Sequence, residues 1–156
     1  MLSDEIKALV EMNEHVMAVQ SNLNKIADAL RARATIHDQS KYLMDEFEQF
    51  IELKLIARTF PYGSDEYEDS MKGNKAIKLH FARNSHHPEH YPNGMADMSL
   101  LDIIEMVADW RATNEVRLRK QATEISWEDS LEVQRKRFKL TPEQLVLIRL
   151  VADLLE

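Results

Sequence analysis

A chain of 156 residues with a formal charge of -7 fits one domain with a core of its own and offers no basic surface for wrapping a nucleic acid polymer. It contains no run of eighteen apolar residues that could span a membrane and no basic-then-apolar leader at its start. Zero cysteines exclude disulfides and thiolate metal sites and are compatible with a cytoplasmic location, so any metal must be held by His, Asp or Glu. Only three glycines and four prolines interrupt a chain rich in Leu, Met, Ala, Glu and Lys, which predicts an all-α bundle of about five to seven helices.

The first helix is predicted from Ser3 to about Arg33, with Leu9, Val10, Val16, Met17, Leu23, Ile26, Ala27 and Leu30 in a 3.6-residue pattern. His15 shares a row with Ala8, Met12, Val19 and Ile26, so its ring is expected to lean inward. Ala34–Lys41 then reads A-T-I-H-D-Q-S-K. His37 and Asp38 break the pattern there, as a bend or helix end would, and Ser40 is placed to cap the second helix.

That second helix is predicted from about Lys41 to Thr59, with Leu43, Phe47, Phe50, Ile51, Leu55 and Ile56 as its buried stripe and Glu46 among them. Phe60–Asp69 reads as a turn followed by an acidic segment, and a helix from about Glu68 to Ala82, weakened by Gly73, carries His80 on an apolar side. Arg83–Met98 is a loop, because two prolines, a glycine and two asparagines forbid a regular helix. It holds His86, His87 and His90, and loops of that length in compact domains are often functional.

Ser99 with Asp102 opens a nearly all-apolar helix to about Leu118, in which Asp102, Glu105 and Asp109 share one side. Burying those carboxylates costs several kcal/mol each unless a cation or hydrogen-bond donors compensate. Two further helices are expected, Trp127–Phe138 with a basic end, and Gln144–Leu155 after the start signal Thr141-Pro142-Glu143-Gln144. The whole reads as one domain, with a metal-site core over about 8–118 and packing helices over about 126–156.

His15, the His37-Asp38 pair, His80, His86-His87 and Asp109 each come from a different predicted helix or from the one loop, and helical folds build metal sites from such converging side chains. Imidazole and carboxylate suit a divalent ion, and two ions about 4 Å apart suit hydrolysis of a phosphate ester.

The series His15…His37-Asp38…Asp109 resembles the HD superfamily of metal-dependent phosphohydrolases. His80 and His86-His87 resemble the additional ligands of its multi-metal branch, which includes the HD-GYP cyclic-dinucleotide phosphodiesterases; Lys41 stands at the spacing of that branch's lysine. The segment H-H-P-E-H-Y-P-N-G is similar to that branch's pattern but altered, with Pro88 after the histidine pair and no glycine before Tyr91-Pro92. Ser40 likewise replaces a glycine. A closer resemblance is to a small family of short bacterial and phage proteins with H-D-x-S-K, N-x-H-H-P and E-M-x-x-D-W motifs, here His37–Lys41, Asn84–Pro88 and Glu105–Trp110.

The resemblance implies an HD-like helical fold holding one or two divalent ions (Mn, Fe, Co, Ni, Zn or Mg). His37, Asp38 and Asp109 would bind one ion with His15 completing its shell, and Asp38 would bridge to a second held by His80, His86 and His87. Lys41 would neutralise a phosphate oxygen, with a salt bridge to Glu46 or Asp38 as its structural alternative. Glu105 would orient a histidine or move a proton, and Arg83, Asn84 and His90 are weaker substrate candidates. The implied activity is that of a phosphomonoesterase or phosphodiesterase acting on a nucleotide or other small phosphate ester. A metal-keeping module without turnover and a diiron-type hydrolase or oxygenase are the alternatives. Base rates for soluble proteins favour a homodimer.

Overall fold

A computed structural model describes residues 3–60, 64–72, 74–119 and 125–155. The described residues form seven α-helices and no strand, the all-α class expected from composition. The chain divides into two compact units, Met1–His37 and Asp38–Glu156.

The first unit is α1, Asp4–Ile36, 33 residues and so about 50 Å long. The Ser3 side chain accepts from Ile6 N at its start, Asp4 and Glu5 complement its positive end, and the His37 N–H closes it on Arg33 O. The helix runs three residues past the expected end because Ala34, Thr35 and Ile36 continue it without a breaker. Within this unit none of the residues of α1 is buried, His15 and its row included. Periodicity marks an apolar face but does not say what covers it.

The second unit begins at Asp38. Asp38 adopts the left-handed conformation (φ 56°, ψ 13°), which asparagine and aspartate tolerate best among residues with a side chain. A 3-10 turn, Gln39–Tyr42, comes next, so α2 starts only at Met44 and runs to Ala57. Ser40 therefore does not cap α2; it lies inside the turn, and its hydroxyl donates to Glu46 Oε2 (3.0 Å).

The buried face of α2 also differs from the expected stripe. Leu43, Phe47, Ile51 and Leu55 are exposed, whereas Glu46 and Leu53 are buried and Phe50 half-buried. The i, i+4, i+7 row through Glu46 turns inward because its carboxylate has three donors to meet there.

The single helix expected over 68–82 is two. α3, Asp65–Met71, has Ser64 as its cap, and α4, Lys75–Arg83, has Asn74, whose Oδ1 accepts from Ala76 N (2.8 Å) and Ile77 N (3.4 Å). A second capping residue inside one apolar pattern is what splits it. Pro61–Gly63 of the expected turn and Gly73 lie outside the described residues.

The loop after α4 contains two 3-10 turns, Pro88–His90 and Gly94–Asp97. α5, Leu100–Arg119, opens with a reciprocal cap in which Ser99 Oγ accepts from Asp102 N (3.2 Å) and Asp102 Oδ2 accepts from Ser99 N (3.0 Å). α6, Trp127–Phe138, ends at Lys139 in the left-handed conformation. α7, Pro142–Asp153, has the full Thr141/Gln144 capping box read from sequence. Ile103, Met106, Val107 and Trp110 of α5 form the core with Leu131, Leu140, Ile148, Val151 and Ala152, and Trp110 stacks on Phe138.

Candidate metal centre

Four side chains of the second unit converge. Asp38, His80, His86 and His87 each offer one ligand atom, and those atoms all lie within 4.8 Å of one another. Local folding explains each placement. The left-handed turn aims Asp38, and the last turn of α4 presents His80. Asn84 ends α4 with its N–H on His80 O (3.0 Å), so the chain leaves the helix and brings His86 and His87 back over His80. The His80 and His87 Nε2 atoms stand 3.0 Å apart.

His80 Nδ1 lies 3.2 Å from Glu46 Oε2 and 3.0 Å from the Asn84 amide nitrogen, and His86 Nδ1 lies 3.1 Å from Glu105 Oε1. In the tautomer with the hydrogen on Nδ1, facing the carboxylate, each Nε2 turns its lone pair inward. Carboxylate–histidine pairs of this kind fix the ring and raise its basicity toward a metal.

Asp38 Oδ1 sits 3.1 Å from His80 Nε2 and 3.5 Å from His86 Nε2. Lone pairs aimed at a carboxylate oxygen repel, and either a cation among them or a second ring hydrogen relieves that. Burial, then the neighbouring His86 and His80, push the His87 pKa down to about 2, so its ring stays neutral and able to ligate.

Glu46 supports the site from below. With none of its surface exposed, it accepts from Ser40, from His80 and from Arg83 NH1 (2.8 Å). Arg83 also reaches Asp45, whose carboxyl this hydrogen bond holds below the usual range. The guanidinium read as a substrate contact is thus engaged in holding Glu46. Asn84 is likewise engaged, its amide donating to Ser40 Oγ (2.9 Å) and His80 O (2.8 Å).

Lys41 forms an ion pair with Asp38 Oδ2, the structural alternative read for it, while its ammonium also borders the adjoining cavity. Asp109 presents a carboxylate oxygen within 4.8 Å of one on Asp38. Exposed His90 donates from Nδ1 to Phe81 O (2.9 Å). His37 is half-buried and caps α1, one residue before Asp38.

Sequence reasoning grouped Asp102 with Glu105 and Asp109, but its burial has another compensation. It accepts from the hydroxyls of Ser85 (2.6 Å) and Tyr91 (2.9 Å) and from Ser99, tying the histidine loop to α5. What sequence reasoning missed is Glu46 as the partner of His80; a carboxylate amid an apolar helical pattern was its only signal.

A cavity of about 570 Å³ opens beside the cluster, with His80, His87 and Asp109 in its wall. Lys41, Lys54, Lys72, Lys78, Arg117 and Arg137 also line it, against the acidic Glu68, Glu89 and Asp109. A chain with more acidic than basic residues overall therefore gathers cations here.

The fold and cluster define an all-α protein with a buried His/Asp group that could hold a metal ion. The chain belongs to a family of unknown function (DUF5662), whose sequence pattern it matches over residues 4–152. No curated protein and no solved structure matches it.

Proposed function

We propose that the protein is a metal-dependent phosphohydrolase of the HD type, acting on a small phosphate ester such as a nucleotide. The observation that carries this reading is the junction of a three-histidine, one-aspartate cluster with a cation-lined cavity. The first suits a divalent metal and the second an anion. The resemblance of His37-Asp38, His80, His86-His87 and Asp109 to the HD motifs supports the same reading.

When bound, a divalent cation supplies the Lewis acid that lets water attack a phosphate ester at neutral pH. The chain's own groups do the rest. His80, His86 and His87 present ring nitrogens, and Asp38 adds a carboxylate oxygen. His37, joined to Asp38 in the chain, is the sequence's further candidate, and the reading does not require His15. Lys41 exchanges part of its bond to Asp38 for a non-bridging phosphate oxygen. Water adds to phosphorus and gives up a proton, the ester P–O bond breaks, and the departing oxygen takes up that proton. In this reading Asp109, a carboxylate in the cavity wall, carries the proton from the water to the leaving oxygen. Glu105, bonded to His86, acts as a positioning residue.

The test is phosphate release from a panel of mono- and diesters by the full chain, with Mn, Fe, Co, Ni, Zn or Mg supplied in turn. Metal-dependent turnover lost in His86→Ala and Asp38→Asn supports the reading. Retained metal with no turnover of any phosphate ester overturns it in favour of a binding module.

A further inference from the structure

The cavity extends past the cluster, and two cations, Arg117 and Lys72, line its other end. Asp109, Thr113 and Arg117 line it from one row of α5, four residues apart, so Arg117 lies about 12 Å along the helix from Asp109. The opposite wall runs the same way. Along α4 it passes from His80 through Ile77 to the cap Asn74, about 9 Å, with Lys72 just before the cap. The two walls meet at α3, where Arg117 NH2 donates to Tyr67 Oη (3.3 Å). Lys72 is braced by Asp69 (3.0 Å), and Glu68 is the acidic residue at this end. The cation that adjoins the cluster itself is Lys41, through its ion pair with Asp38.

We propose that this end is a second anion subsite, so that the substrate is two-ended, with one phosphate at the cluster and another anionic group on its leaving portion against Arg117. The span excludes a simple pyrophosphate, whose two phosphorus atoms are neighbours, and calls for a spacer of sugar or nucleoside length. The apolar middle of the walls, Ile77, Leu53 and Trp110, suits such a spacer. This inference rests on the phosphohydrolase reading for its first subsite.

The test uses the metal-loaded full chain and calorimetry with alkanediol bisphosphates from ethane to decane, each paired with the alkyl monophosphate of the same length. The long bisphosphates are expected to bind at least about tenfold tighter than their monophosphate partners, the worth of one charge-assisted hydrogen bond. The short ones should show no such advantage. Arg117→Ala should erase most of the ratio and Arg117→Lys should keep part of it. A ratio near one at every length for the wild-type chain overturns the second subsite, whatever the variants do. Monophosphate binding that is indifferent to metal removal instead counts against the phosphohydrolase reading, so the two failures are read from different columns of the same data.

Discussion

Glu46→Ala removes the carboxylate on which the site rests. The side chain has no exposed surface and is met by Ser40 Oγ, His80 Nδ1 and Arg83 NH1 at 3.0, 3.2 and 2.8 Å. Deleting one partner of a buried ion pair typically costs 3–5 kcal/mol, because the other is left behind. The Arg83 side chain is 33% exposed and keeps its bond to Asp45, which lowers the charge term. A loss of about 3 kcal/mol, or a melting temperature about 10 °C lower, is therefore expected. Urea denaturation of the metal-free chain measures it, with Phe47→Ala as control; Phe47 is next in sequence but exposed, and should cost less than about 1 kcal/mol. Metal affinity of the folded variant should fall by about 10–100-fold, since His80 loses the partner that fixes its ring. A cost below about 1 kcal/mol with metal affinity unchanged would refute the assigned role.

Glu105→Gln should lower metal affinity by about tenfold with little loss of stability, because a half-buried amide can still accept from His86 Nδ1 but no longer supports it with charge. Unchanged affinity in a metal titration would contradict that. Asp102→Ala should cost about 3 kcal/mol by stranding the Ser85, Ser99 and Tyr91 hydroxyls, and Tyr91→Phe about 1 kcal/mol, both read by denaturation. The metal-free chain should lose stability as pH falls. His87 stays neutral when folded but takes a proton near pH 6.5 when unfolded, so the unfolded state gains below that value, by about 1.4 kcal/mol per pH unit. A stability profile flat from pH 7 to 5 would rule this out.

How far the sequence carried the account varies by element. The capping box at Thr141 and the Ser99 cap were legible because they depend on residues three apart. The convergence of Asp38, His80, His86 and His87 was legible because, with cysteine absent, chemistry restricts the side chains that could hold an ion. The break between α3 and α4 was not, since Asn74 caps from inside an apolar pattern. Nor was the inward face of α2. Its hydrophobic row predicts Phe47 and Ile51 buried, but the donors waiting for Glu46 come from Arg83 and His80, more than thirty residues on. Long-range polar partners leave no periodic trace. Arg83 illustrates the same point: its bonds to Asp45 and Glu46 join residues more than thirty positions apart.

The proposed function requires that the cluster hold a metal ion and not a proton shared among histidines. Calorimetric titration of the stripped full chain with Mn and Zn, repeated on His80→Ala and His86→Ala, distinguishes the two. Saturable binding is expected, with release of any ring hydrogen on Nε2, weakened at least about a hundredfold in either variant. Binding that is absent in the wild-type chain, or that survives both substitutions unchanged, would contradict it.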